Sequence, residues 1–306
     1  MKILITDSLF IQKEHEEKLR NAGFEIERLD KPEATEEELV AAVKGKDGYI
    51  LGGIEKLSNK IIDAGDALKA IVFTGIGYKD FIPNHEYVTS KGIAIANTPD
   101  APTHAVAEWA ITMALAMNRN IFDLGRAGEK KFMTSKGIEG QHVGIVGFGR
   151  IGKEIAKMIE PFRPASISYF SRTRHEESNL EYKELNRLLS ESDIVFLCVS
   201  KDAGEHFISE QELKLIKGGS LIVSFMHRGP LDETALYNEL KSGRLRAASD
   251  YKLGSGEFDS LPMSNWYCFN GSNAFNTETE IKLCSDMAVD SMINLLKTGQ
   301  DKNRVN

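Results

Sequence analysis

The sequence predicts an α/β protein of two domains, each a parallel sheet flanked by helices. Three observations carry this. Short, wholly apolar runs recur along the chain, as strands buried on both faces require. Amphipathic stretches of helical period separate them, which is the βαβ rhythm of a parallel sheet. The rhythm pauses at a long helical segment after "NTPDAP" and then restarts, so two such units follow one another. A length of 306 residues agrees, being more than one small core organises.

In order, the first strands are expected at residues 2–6 ("KILIT"), 48–51 ("GYIL"), 70–73 ("AIVF") and 93–96 ("IAIA"), with helices at 14–22 and 36–44. A long helix covers 103–119. The second series has a strand ahead of "GFGRIG", then strands at 166–170, 193–199, 220–225 and 245–249, with helices at 183–190 and 233–241. Residues 268–280, "CFNGSNAFNTETE", read as a polar loop running into an acidic helix start. A helix over 278–297 is expected to cross back to the first domain and tie the two together. There is no repeat of solenoid period and no low-complexity tract.

Hydrophobic residues at 42% and charged residues at 27% give the balance of a soluble globular chain. A net charge of -7 argues against a general nucleic-acid role. No signal peptide or membrane-length apolar stretch is read, so a cytoplasmic location is expected. Cys198, Cys268 and Cys284 lack metal-ligand spacing and read as reduced, packed thiols, with no metal expected.

Gly147, Gly149 and Gly152 form G-x-G-x-x-G between the strand "GIV" and the helix "KEIAKMI", with Phe148, Arg150 and Ile151 at the intervening positions. In that context the first glycine permits the tight turn, the second the close approach of a pyrophosphate, and the third the packing of helix on strand. The phosphates would sit on the free amides of the helix N-terminus. The next strand ends in Ser171, Arg172, Thr173 and Arg174, where an NAD site usually carries an acid for the adenosine 2′-hydroxyl. A serine donor and guanidinium groups suit a 2′-phosphate, so NADP is expected, with NADPH preferred over NADH. The competing reading is two solvated arginines in a loop.

With "TGIGYKDF", "NTPDAPTHAVAEWA", "GIEGQHVGIVGFGRIG", "HRGPLDETAL" and "LRAASD" in this order, nearly the whole chain resembles the D-isomer-specific 2-hydroxyacid dehydrogenase family. The resemblance implies two Rossmann-like domains with a cleft between them. Residues 1–98, completed by 281–306, would form a flavodoxin-like substrate domain, and 99–280 the dinucleotide-binding domain, joined to a second copy as a homodimer. On the family pattern Thr103, Cys198, Val199, Ser200 and Met226 fall on the cofactor side. Asp250 matches the aspartate near the nicotinamide carboxamide, against the alternative of a helix or turn cap. Gly52, Gly53, Gly75, Ile76 and Gly77 fall on the substrate side with Arg228, which matches the arginine that binds the substrate carboxylate.

In the family a histidine delivers the proton and a glutamate orients it, because an alkoxide developing at neutral pH needs a cation and a proton donor. Ser255 occupies the glutamate position, with Glu257 close by as a replacement. "SNAFNT" aligns with the histidine motif H-x-A-x-x-T, placing Ser272 where the histidine stands, supported by Ala274 and Thr277. The 7 histidines are His15, His85, His104, His142, His175, His206 and His227, so none lies beyond 227. Lys79 and Asp80 replace an Asp-Asn pair, Phe225 an asparagine and His227 a small residue.

Three readings fit. In one, the proton comes from elsewhere, with His227 leading and His104, Tyr251, Lys252, Tyr267 and Glu257 behind it. In another, the substrate is an iminium or activated alkene that needs no donated proton. In the third, the chain is a catalytically silent NADPH-binding sensor or partner protein. The expectation is an NADP(H)-dependent oxidoreductase acting on a small carboxylate, slow with ordinary 2-keto acids.

Overall fold

A computed structural model of the chain describes residues 1–6, 10–31, 33–52, 54–128, 132–200, 203–225, 229–268 and 273–306. The chain divides into two compact units, Met1–Pro102 with Asn276–Asn306, and Thr103–Phe275.

The first unit has strands β1 (Lys2–Ile5), β2 (Glu25–Arg28), β3 (Gly48–Leu51), β4 (Ala70–Phe73) and β5 (Ala94–Ala96). They form a sheet in the order β2-β1-β3-β4-β5, parallel throughout. Every residue of β3, β4 and β5 is buried, because helices cover both faces. On one face Ile3, Ile50 and Val72 pack with Ala288, Val289 and Met292 of the helix Glu278–Thr298. On the other, Leu4, Tyr49 and Ile71 pack with Leu39 and Ile61. The helix Glu278–Thr298 thus belongs to the first unit. It starts where the Thr277 hydroxyl accepts from Glu280 N at 3.2 Å and stops at Gly299, whose φ is 72°. Gly48 lets it lie close to β3, since a Cβ there would come within 2.5 Å of Met292 Sδ. The strand β2 and the short helices Asn59–Ala64, Tyr78–Phe81 and His85–Ser90 were absent from the sequence expectation. β2, "EIER", lies at the sheet edge and carries a single apolar residue.

The second unit has β6 (His142–Val146), β7 (Ser166–Phe170), β8 (Glu181–Tyr182), β9 (Ile194–Leu197), β10 (Leu221–Ser224), β11 (Arg246–Ser249) and β12 (Trp266–Cys268). Their order is β12-β11-β10-β9-β6-β7-β8, again parallel. The chain builds outward from β6 toward β8, then returns to build from β9 the other way. The topological switch point therefore lies between β6 and β9, where an open α/β sheet binds its ligand. Helices Thr103–Asn118 and Arg150–Ile159 cover one face with Ala110, Ala114, Ile155 and Ile159. Leu188, Leu213 and Leu236 cover the other. The strand expected over 193–199 ends at Leu197, so Cys198 to Ser200 leave the sheet at its carboxyl edge. The ends of the loop expected over 268–280 are corrected too: Cys268 ends β12, and the helix takes over at Glu278. Among the described residues no helix is long and apolar enough to cross a membrane.

Candidate functional site

At the switch point the three glycines meet three different surroundings. Gly147 has φ +99°, and a Cβ on it would sit 2.8 Å from the Cys198 carbonyl and 3.0 Å from Val199 N. The ends of β6 and β9 therefore touch backbone to backbone, and only hydrogen fits. A Cβ on Gly152 would collide with the Gly147 carbonyl oxygen and come within 3.1 Å of Ile145 Cγ2. Gly149 differs: a Cβ there would meet no protein atom within 4 Å. It is the extended N-cap of the helix Arg150–Ile159, with no side-chain cap and no acid in the first turn. Two glycines serve the protein's own packing, and the third opens the helix N-terminus to a ligand, as an anion site requires. Phe148 turns inward and stacks on Tyr169 at 4.0 Å, leaving Arg150 and Ile151 to begin the helix. The Thr103 Oγ1 atom is buried without a hydrogen-bond partner among the described residues. The open space at Gly149, at the start of an uncapped helix, fits the phosphates of a bound dinucleotide.

The turn after β7 is fixed from inside. Tyr169 OH donates to the His175 carbonyl at 3.2 Å and accepts from His175 N at 3.0 Å. Glu177 accepts from Lys153 Nζ at 2.8 Å and pairs with His175 Nδ1 at 3.0 Å. The Lys153 ammonium, with a backbone amide and His175, holds the Glu177 carboxyl down at about 2. A depressed carboxylate stabilises above its ordinary value of 4.5 and loses that contribution as pH falls toward about 2, so this tie is intact at neutral pH.

On this turn the Ser171 hydroxyl donates to the Thr173 carbonyl at 2.5 Å. Arg174 is engaged too, lying 5.4 Å from the Tyr182 ring and 3.9 Å from Glu176. Arg172 is exposed and makes no hydrogen bond or ion pair with a described residue.

Cys198 and Val199 line the Gly147 contact, where burial pushes the Cys198 thiol pKa up, and Ser200 is exposed with its carbonyl accepting from Ala203 N at 3.0 Å. Asp250, just after β11, is buried. Its two oxygens accept from Asn273 N at 3.0 Å and Ala274 N at 3.3 Å, anchoring the chain just beyond position 272. Burial pushes the Asp250 pKa up, and the two amides oppose that shift. No sequence signal reveals this anchor, because donor and acceptor lie 23 and 24 residues apart.

Met226, His227, Arg228, Ser272 and Gly53 lie outside the described residues. Phe225 is partly buried against the core cluster that includes Phe148 and Val223. Glu257 opens the exposed turn Glu257–Ser260, where its carboxylate accepts from Ser255 N at 2.9 Å and Ser255 Oγ at 3.2 Å. Among the other proton-donor candidates, His104 pairs with Glu154 at 2.9 Å, Lys252 with Asp259 at 3.6 Å, and Tyr267 stacks on Phe122 at 3.7 Å. Tyr251 N donates to Ser249 Oγ at 3.2 Å.

In the first unit Gly52 follows β3, and Gly75, Ile76 and Gly77 follow β4, all at the carboxyl edge of that sheet. Thr98 N donates to the Gly75 carbonyl at 3.0 Å and Asn97 Nδ2 to the Ile76 carbonyl at 3.0 Å, so this turn is pinned. Lys79 is exposed on the short helix that follows. Sequence reasoning missed Glu55, a buried carboxylate beside β1 that accepts from the Thr6 hydroxyl and from Tyr49 OH at 3.2 Å.

Fold and turn together have the form of a dinucleotide-binding domain. The family model described as "D-isomer specific 2-hydroxyacid dehydrogenase, NAD binding domain" matches residues 111–252. A hydroxypyruvate reductase of Thermotoga maritima is 34% identical over 221 residues, 69% of this chain and 71% of that protein. A glyoxylate reductase of Thermococcus gammatolerans is 32% identical over 269 residues, 82% and 78% of the two. In fold, the chain is similar to an acyclic imino acid reductase solved in complex with NADPH and D-Arg, with TM-score 0.88 over 100% of both chains at 20% identity. The chain belongs to the D-isomer-specific 2-hydroxyacid dehydrogenase family.

The glycine geometry separates two variants. Gly149→Ala is expected to change unfolding free energy by less than about 1 kcal/mol while weakening dinucleotide binding at least about tenfold. Gly152→Ala is expected to lose about 1–3 kcal/mol of stability, because its new methyl meets backbone. Urea unfolding and a cofactor titration on both proteins check the contrast.

Proposed function

We propose that the protein is an NADP(H)-dependent reductase of a small carboxylate-bearing substrate that works without its family's proton-donating histidine. The observation that carries the cofactor half is Arg172, an exposed guanidinium that pairs with no described residue, on a turn tied to the glycine-loop helix. A carboxylate at this place would repel a 2′-phosphate, whereas a planar guanidinium pairs with one through two hydrogen bonds. The amides around Gly149, the Thr103 hydroxyl and Arg172 would hold the cofactor, and the bound nicotinamide supplies the hydride. Residues 1–98 with 281–306 act as substrate domain and 99–280 as cofactor domain, in a homodimer joined through the latter.

On the substrate side, Arg228 follows β10 in sequence and supports carboxylate binding at the carboxyl edge of the sheet. Ser272 stands at the histidine position, and a serine hydroxyl is far too weak an acid to take over at neutral pH. Asp250 anchors the chain just after that position whatever side chain 272 carries. A second reading within this proposal is hydride transfer to a preformed iminium ion, whose nitrogen already carries the proton; the likeness of fold to an imino acid reductase is compatible with it.

Two variants test the two halves. Arg172→Ala is expected to raise the Kd for NADPH by roughly 10- to 100-fold and leave that for NADH nearly unchanged, the loss of one charge-assisted pair. Equal losses for both cofactors would remove Arg172 from the 2′-phosphate. For the proton, wild-type protein should consume NADPH slowly with glyoxylate or hydroxypyruvate. Ser272→His should raise kcat/KM at least about tenfold, part of the 10²–10⁴-fold that general acid catalysis contributes. Wild-type turnover of these acids at an ordinary rate of about 10 s⁻¹ would contradict the altered-site reading. NADPH binding with no turnover of keto acids or cyclic imines would favour a silent sensor.

A further inference from the structure

We infer a second anion site in the unit Thr103–Phe275, at the sheet edge opposite the glycine turn, that takes inorganic phosphate or a small phosphate monoester. A cavity of about 260 Å³ opens there, lined in part by Asn120, Thr134, Ser135, Lys136, Gly219 and Arg246. Gly219 precedes β10 and Arg246 opens β11, so the cavity lies at the amino ends of these strands. The glycine turn follows the carboxyl end of β6, and parallel strands put the two at opposite edges.

Among the described residues the lining holds two cations and no carboxylate. Arg246 is half-buried and donates to the Met117 carbonyl at 3.3 Å, Asn118 Oδ1 at 2.7 Å and, more weakly, the Gly219 carbonyl at 3.5 Å. All three partners are neutral, and burial pushes the guanidinium pKa down with nothing offsetting it. Lys136 lines the cavity, its ammonium makes no ion pair or hydrogen bond with a described residue, and it lies 3.8 Å from where a Cβ on Gly219 would sit. Several other cations of this unit have a carboxylate partner, as in Arg163 with Glu139 at 3.0 Å, Lys217 with Asp193 at 2.7 Å and Lys183 with Glu191 at 2.7 Å.

Neutral donors complete the lining. The Thr134 hydroxyl and the Asn120 side-chain amide have no hydrogen-bond partner among the described residues. Ser135 Oγ accepts from Arg119 Nε at 3.0 Å, leaving its own proton to donate. The backbone beside them is pinned, because Lys136 N donates to the Asn118 carbonyl at 3.1 Å and Asn118 Nδ2 to the Gly137 carbonyl at 3.4 Å. Two cations and several hydroxyl and amide donors around a small space match a tetrahedral dianion. The volume falls below the roughly 300–1,000 Å³ that holds larger ligands, which excludes a dinucleotide. This inference stands apart from the cofactor reading.

Calorimetric titration of the full chain with inorganic phosphate at constant ionic strength, set against chloride, tests it. Wild-type and Arg172→Ala proteins should bind alike, Lys136→Met should bind roughly tenfold more weakly or worse, and Lys136→Arg should retain binding. Equal affinity in wild type and Lys136→Met overturns the site, as does a response that chloride reproduces. Binding lost in Arg172→Ala but kept in Lys136→Met would assign the phosphate to the turn after β7 and also overturn it. Glycerol 3-phosphate in the same titration separates the sources: tighter binding than inorganic phosphate identifies a monoester site, and weaker binding a site for the free ion.

Discussion

The backbone contact between Gly147 and the Cys198–Val199 peptide governs the unit that contains it. At 2.8 Å from the Cys198 carbonyl there is room for hydrogen and nothing larger, and φ of +99° is a conformation that other residues rarely adopt. The contact brings the ends of β6 and β9 together at the switch point. Gly152 then seats its helix against the Gly147 carbonyl, which aims the helix N-terminus into the open space at Gly149. The same turn sets the neighbouring strand, because Gly147 N donates to the Phe170 carbonyl at 2.8 Å and Phe148 stacks on Tyr169. Tyr169 in turn holds His175, and so the segment that carries Arg172.

Charge is distributed with a consistent logic. Many surface cations of the second unit have a carboxylate within reach, and exposed pairs of that kind add little stability. Against that background the unmatched groups are informative. Arg172 is exposed on a turn tied down by Tyr169, and Lys136 lines a cavity together with Arg246. A cation that pairs with no described residue can take an anion from solution without an internal pair being broken first.

The sequence was most legible where an element is long, apolar and central. β3, β4, β7 and the helix Glu233–Lys241 have the bounds that pattern and propensity imply. β2, β8 and β12 were not visible: "EIER" has one apolar residue, and "EY" and "WYC" are too short to establish a period. The glycine turn was legible because its residues are contiguous and each has a distinct steric duty. The Asp250 anchor and the Glu55, Thr6 and Tyr49 cluster were not, since they join residues distant in sequence whose individual identities are ordinary. The proton-transfer reading rests on the sequence, on Ser272 and on the lack of any histidine beyond 227.

The central claim is that the turn after β7 accepts a 2′-phosphate. Calorimetric titration of the wild-type protein with NADPH and NADH in one buffer tests it most directly. The account predicts a Kd for NADPH at least about tenfold below that for NADH, the worth of one charge-assisted guanidinium-phosphate pair. Equal affinity, or a preference for NADH, would contradict it and leave Arg172 a solvated side chain.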